Sequence, residues 1–292
     1  MSSVDTSAVD SSAVDTAAVA SSGNVSTKKR SRFDLRIVLP PVLTGGLILG
    51  IWYFVSYVIL DPKRRFLLKP PHEVWNVGFA NGDNFSEMME GLLATSKTAF
   101  WGLLSAILLG FLLAVIMSQA KFVERAIFPY AVVLQAIPIL AIVPLIGFWF
   151  GYGFMPRVFI CVIIALFPII VNTLFGLLSA DQGLHDLLTL HNTGRVTRLR
   201  KLMFPAALPA VFAGLRISAG LSVIGAIVGD FYFGQGEVGI GQLLKRYAAR
   251  LEGEQLLAAV IVSSGLGVLV FTLFGWIANR VVGKWAADSR GN

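Results

Sequence analysis

The sequence predicts an all-α, polytopic membrane protein with about six transmembrane helices. Three observations carry that reading. Of 292 residues, 55% are hydrophobic and only 14% are charged, where soluble domains carry about 25% charged residues. The mean hydropathy is +0.74. Six stretches, 37–60, 92–118, 126–150, 157–179, 205–229 and 255–282, are nearly free of charge in their middles. Each approaches or exceeds the roughly 20 apolar residues that a helix needs to cross a hydrocarbon layer of about 30 Å. Membrane strands would instead alternate in polarity over about ten residues, and these stretches do not.

The chain opens on a five-residue repeat, VDTSA, VDSSA, VDTAA, VASSG. Small polar residues offer no face that could offset the entropy of ordering, so residues 1–32 are expected to be a disordered tail. The repeat is acidic where a secretory leader would be basic, and no removed leader is expected. Residues 33–87 are expected to hold the first helix and an external loop, residues 88–285 a membrane core with a cytoplasmic loop at 180–204, and residues 286–292 a cytoplasmic tail.

Orientation follows the bases, which favour cytoplasmic segments. With both termini inside, fourteen of the 24 Lys and Arg fall in inner segments and eight in outer ones, and Lys97 and Arg216 lie within spans. The basic first external loop, DPKRRF, runs against this trend. The net charge of +7 is thus explained by topology, with no nucleic-acid partner. The single cysteine, Cys161, sits in an apolar run and has no disulfide partner in the chain. His72, His185 and His191 are scattered away from metal-ligand spacing, so neither a metal nor a cofactor is expected.

The loop at 180–204 holds the densest internal basic cluster. Its broken apolar stripe, Leu187, Leu190, Leu199 and Leu202, fits a short helix, a tight turn at Asn192 to Gly194, and a second short helix. Pro205 fits the first position of the next span. Composition leaves two readings open, an anchor in lipid headgroups or a grip on another protein.

From Asp186 to Pro205 the chain resembles the signature loop of binding-protein-dependent ABC importer permeases: EAA, three residues, Gly, nine residues, Ile, one residue, Leu-Pro. Asp186 stands at the Glu place, Leu187 and Leu188 at the Ala places, Asn192 at the Gly place, Leu202 and Phe204 at the Ile and Leu places. Asn tolerates the left-handed backbone that the turn needs. QAIPILAIVPLIGFWFGYG, FLLKPPHEVW and GLRISAGLSVIGAIVGDF are similar to the third span, the external segment and the fifth span of the nitrate, sulfonate and taurine branch. LHNTGR and GDFYFGQGEVGIG are similar to permeases for riboflavin or thiamine-pyrimidine precursors.

The resemblance implies a type I importer permease acting as a homodimer, with an external substrate-binding protein and cytoplasmic ATPase subunits, in a prokaryotic plasma membrane and in contact with lipid. It implies that Asp186, Asn192, Gly194, Arg195, Arg198 and Pro205 transmit the ATPase's motion. The chain has no G-x-x-x-x-G-K-[ST] for ATP, so it is not expected to be an enzyme and has no catalytic residues. The solute is expected to be small and polar, a vitamin or its precursor first and a sulfonate or nitrate second.

GQGEVG at 234–239 matches a dinucleotide fingerprint but follows a helix, and reads as a bend. After it, Ile240, Leu243, Leu244, Tyr247 and Leu251 form one apolar helix face, fit either for the outer membrane surface or for a binding-protein dock.

Polar residues inside spans are the pathway candidates: Gln135, Asn172, Arg216, Ser218 and Asp230. For each, bonding between helices is the competing role. Arg216 and Asp230, fourteen residues apart, are about 21 Å apart along one helix and cannot pair directly. An ion-gradient transporter using those two as a charge relay is the rival reading. A membrane enzyme is disfavoured, since no nucleophile, base and orienting group cluster at one face.

Overall fold

The computed structural model describes residues 35–288, all of whose regular elements are helical. The expected disordered tail therefore lies outside the described residues, as do residues 289–292. The chain divides into two units, one ending at Leu47 and the other beginning at Ile48.

In the first unit the described residues belong to α1 (Leu35–Phe54), with Pro40 and Pro41 inside it. Thr44 Oγ1 donates to Pro40 O at 2.9 Å. This is the back-bond to the preceding turn that a threonine inside a helix commonly makes.

In the second unit, the end of α1 passes into a π-helical turn, Val55–Ile59, and then a 3-10 turn, Pro62–Leu67. Ser56 Oγ donates to Leu68 O at 2.9 Å and Trp52 Nε1 to Lys69 O at 3.0 Å, tying this loop down. A short helix, α2 (Pro71–Val74), leads to α3 (Gly82–Ser118). The Asn81 side chain caps α3 by accepting from the Asp83 and Asn84 amides.

The third expected span is not one rod. It is α4 (Lys121–Ala136) and α5 (Ile139–Phe150), bent by 100° between them. Pro138 supplies the cause. It has no amide to continue the ladder, and it forces Ile137 into extended backbone with ψ 125°. The six expected spans thus appear as five continuous helices and this bent pair.

The centre of the second unit is the crossing of α6 (Phe154–Leu178) and α9 (Phe204–Tyr232). Lipid offers no hydrophobic push between helices, so close packing depends on small residues. Gly225 presses on the Cys161 backbone, where an added Cβ would lie 2.8 Å from its Cα. Gly102 of α3 meets the Cys161 side chain from the other direction. Cys161 is fully buried there, in the small-core role expected of it.

Between α6 and α9 lie α7 (Gln182–Leu190), α8 (Arg195–Arg198) and a π-helical turn, Leu199–Met203. After α9 come α10 (Ile240–Arg250) and α11 (Gly253–Asp288). The apolar face of α10 packs inward. Ile240, Leu243 and Tyr247 are buried with Val74, Met88, Ala258 and Ala259. These residues are therefore not available to lie in a membrane surface.

Candidate functional site

Two places in the second unit gather the functional candidates, one at each end of the α6–α9 crossing. At the first, Asp181 caps α7 by accepting from Leu184 N at 3.2 Å. The helix ends on Asn192, whose φ is 50°. Asn192 N donates to Thr189 O and Thr193 N to Leu188 O, both at 3.0 Å, which is the paired C-terminal capping pattern that a left-handed residue permits. Gly194 then starts α8, with Arg198 N donating to Gly194 O at 3.1 Å. Arg198 Nη2 donates to Thr189 Oγ1 at 2.8 Å and ties the two short helices together. The segment is thus a defined helical elbow of the kind its sequence predicts. Asp186, Asn192, Gly194 and Arg195 are exposed on it, and Arg198 and Pro205 are half-buried. Beside them Leu190 is 80% and Val196 78% exposed.

At the opposite end, Asp230 is fully buried and paired with Arg157 at 3.1 Å, whose side chain is only 3% exposed. A charge in such surroundings persists only when paired and hydrogen-bonded. Thr95 supplies the further bond by donating to Asp230 Oδ2, while accepting from Ile240 N at 2.8 Å. Arg157 also donates to Glu237 O at 2.9 Å and to Gln235 O at 2.8 Å. A Cβ on Gly239 would collide with the Asp230 carboxylate, so the 234–239 stretch is a strap closed over this ion pair. Lys97 binds Glu237 at 2.9 Å on the strap's outer side.

Sequence reasoning missed Arg157 and Thr95. It set Arg157 at the outer end of the 157–179 span and counted it among the outer bases, whereas it lies in the first turn of α6 with its side chain buried. The signal was available in Asp230 itself, since a carboxylate within an apolar run requires a cation at the same depth.

The remaining pathway candidates are not brought together. Ser218 Oγ, fully buried, donates to Ala165 O of α6 at 2.7 Å. Asn172 Nδ2 donates to Pro168 O at 2.8 Å. Gln135 is exposed, close to the α4–α5 break. Arg216 is exposed, with its guanidinium 4.1 Å from the centre of the Phe271 ring, and no carboxylate pairs with it among the described residues.

A third cluster lies on α10. Tyr247 Oη donates to Glu87 Oε2 at 2.7 Å, and Arg246 pairs with Glu87. Burial and then the bond to the Glu87 carboxylate push the Tyr247 hydroxyl up to about 12. Lys69, bonded to Glu254 at 2.7 Å, is raised above the ordinary lysine value chiefly by that hydrogen bond.

Long apolar helices, a core knit by small residues, and polar groups either paired inside or turned outward define a multi-pass α-helical membrane protein. The chain belongs to the family of binding-protein-dependent transport system inner membrane components, whose pattern matches residues 106–283, and so to the ABC importer permeases. It is 32% identical over 243 residues to the formylaminopyrimidine transport permease protein ThiX of Halalkalibacterium halodurans, covering 82% of this chain and 94% of that one. It is 30% identical over 271 residues to the riboflavin transport system permease protein RibX of Chloroflexus aurantiacus, covering 90% and 97%. An amino acid ABC transporter crystallised with histidines shares the fold, with a TM-score of 0.55 at 16% identity over 68% of this chain and 95% of that one.

Proposed function

We propose that this chain forms the translocation pathway of an importer for a vitamin or vitamin precursor, driven by ATP hydrolysis on a separate subunit. The observation that carries the reading is the elbow from Asp181 to Met203. It is short, internally bonded and exposed, and it presents Leu190 and Val196 beside Arg195. A rigid element of this kind can pass a partner's displacement to α6 and α9, on which it is mounted; a floppy one could not. The chain's lack of an ATP-binding loop agrees with a separate motor.

In this reading both termini and the elbow are cytoplasmic, in a prokaryotic plasma membrane, and two copies stand side by side with a binding protein outside. Asp186, Asn192, Gly194, Arg195, Arg198 and Pro205 transmit the ATPase's motion. Gln135 and Arg216, being exposed, line the route, whereas Ser218 and Asp230 secure the helices beside it and Asn172, bonded within α6 to Pro168 O, packs on Gly214 of α9. Arg216 lies about 18 Å along α9, counted at about 1.5 Å per residue from Phe204. An exposed cation at that depth requires water or a second protein surface, which supports the paired arrangement. The named relatives favour a vitamin-type solute; a nitrate or sulfonate is the second reading, favoured by the exposed Arg216 cation.

The test is uptake into liposomes of the chain reconstituted with its ATPase, against a variant lacking residues 192–204. ATP-dependent uptake by the intact chain, and loss of both uptake and ATPase co-purification in the variant, is expected. Full uptake without the ATPase, or labelling of the elbow from outside, overturns the reading.

A further inference from the structure

Against the elbow lies a cavity of about 640 Å³ whose lining shares Asp186, Arg195 and Arg198 with the coupling surface. Its membrane side is formed where α3, α6 and the turn before α9 end, at Met117, Leu177 and Met203. Its other walls carry Lys121, Glu124, His185, Asp186, Arg195 and Arg198. Three permanent cations thus face two carboxylates, and none of these five groups is in an ion pair within 4.0 Å among the described residues. Arg198 spends one nitrogen on Thr189, while its Nε is shielded from solvent with no acceptor. Buried donors ordinarily find partners. A cavity with surplus positive charge and an unfilled guanidinium donor is complementary to an oxyanion.

We infer that this cavity binds a phosphate group, held by Lys121 and Arg198 with Arg195 at the rim. The phosphate has two natural sources. One is the headgroup of an anionic phospholipid, because the cavity sits where three spanning helices leave the apolar layer. The other is free phosphate or a small phosphorylated solute in the cytoplasm. In both cases the ligand bridges Lys121, at the start of α4, to Arg198, on the elbow, and so fixes the elbow against the helix ends. The cytoplasmic placement rests on the function proposed above. The binding itself does not, and is measured on the chain alone.

The full chain in detergent is titrated with phosphatidylglycerol and with phosphatidylcholine, with bound lipid counted by native mass spectrometry. It is titrated separately with inorganic phosphate against chloride at matched ionic strength, read as the shift in unfolding midpoint. Lys121→Gln and Arg198→Gln are each expected to weaken binding about tenfold, the loss of one charge-assisted contact. Arg280→Gln, which removes a base outside the cavity, should change it less than twofold. Preference for phosphatidylglycerol assigns the headgroup source; a phosphate effect without lipid preference assigns the soluble one. Absence of both overturns the inference, as does an equal loss in Arg280→Gln. Lys121→Arg keeps the charge and should bind within about twofold of the natural chain. If it loses as much as Lys121→Gln, the charge is not what binds, and the inference fails. None of these outcomes depends on whether an ATPase docks, so the two readings fail separately.

Discussion

Arg157 and Asp230, 73 residues apart in sequence, meet at 3.1 Å in a buried ion pair at the ends of α6 and α9. Through Thr95 the same carboxylate is tied to α3 and to the start of α10, and through Arg157 to the 234–239 strap. One pair therefore joins three spanning helices and the 234–239 strap that closes over them. A charge relay built on Asp230 would have to break this lock each cycle, because the carboxylate is already fully engaged.

Removing one partner should cost far more than neutralising both. Asp230→Ala strands the Arg157 guanidinium in the core, and Arg157→Met strands the carboxylate; each should destabilise the protein by about 3 to 5 kcal/mol. The double variant Arg157→Met with Asp230→Asn leaves no buried charge and should recover at least about half of the single-variant loss. Thermal unfolding followed by size-exclusion fluorescence gives the comparison. Additive losses would show that the two residues act separately.

The α10 contact predicts an alkaline instability. Tyr247 is 3% exposed, and burial first, then its bond to Glu87, raise its hydroxyl from the ordinary 10.0 to about 12. In that interval the folded chain keeps a proton that the unfolded chain has lost, so stability falls as pH rises. The contribution is fully present below about pH 10 and gone above about pH 12. At about 1.4 kcal/mol per pKa unit, the rise from 10.0 to about 12 corresponds to a loss of at most about 3 kcal/mol. Unfolding midpoints measured from pH 8 to 12 should fall more steeply in the natural chain than in Tyr247→Phe. Parallel curves would remove Tyr247 from the explanation.

Much of this fold was legible because the features that specify it are local. Apolar length gave the spans, Asn192 and Gly194 the turn, and the apolar face at Ile240, Leu243 and Tyr247 the α10 helix. Pro138 was legible as a break in hydrogen bonding but not as a 100° bend, since the angle depends on what packs against each half. The Arg157–Asp230 pair was half legible, since a carboxylate inside an apolar run calls for a cation at its depth, but which cation was not. Nothing local distinguishes an arginine at the start of a span from one in a loop, and only the crossing of α6 with α9 brings it to Asp230. The same limit applied to α10, whose apolar face read as a membrane-surface helix or a binding-protein dock and packs instead on Met88 and Ala258 of its own chain.

The elbow's turn provides the most direct test of transmission. Asn192 holds φ 50°, a conformation that asparagine adopts at small cost, glycine at none, and a β-branched residue only under strain of about 1 to 2 kcal/mol or more. Asn192→Gly should therefore leave ATP-driven uptake near the natural rate. Asn192→Val should open the Thr193–Leu188 bond and release α8 from α7, because the paired cap exists only with a left-handed residue at 192. The change lies outside the membrane core, so expression and unfolding midpoint should move little. Uptake should fall several-fold, with ATP hydrolysis less affected, since the motor still turns over while its displacement is no longer delivered to α6 and α9. Equal uptake by the glycine and valine variants would mean that the shape of this turn does not carry the motion, and the elbow would then be an anchor and not a lever.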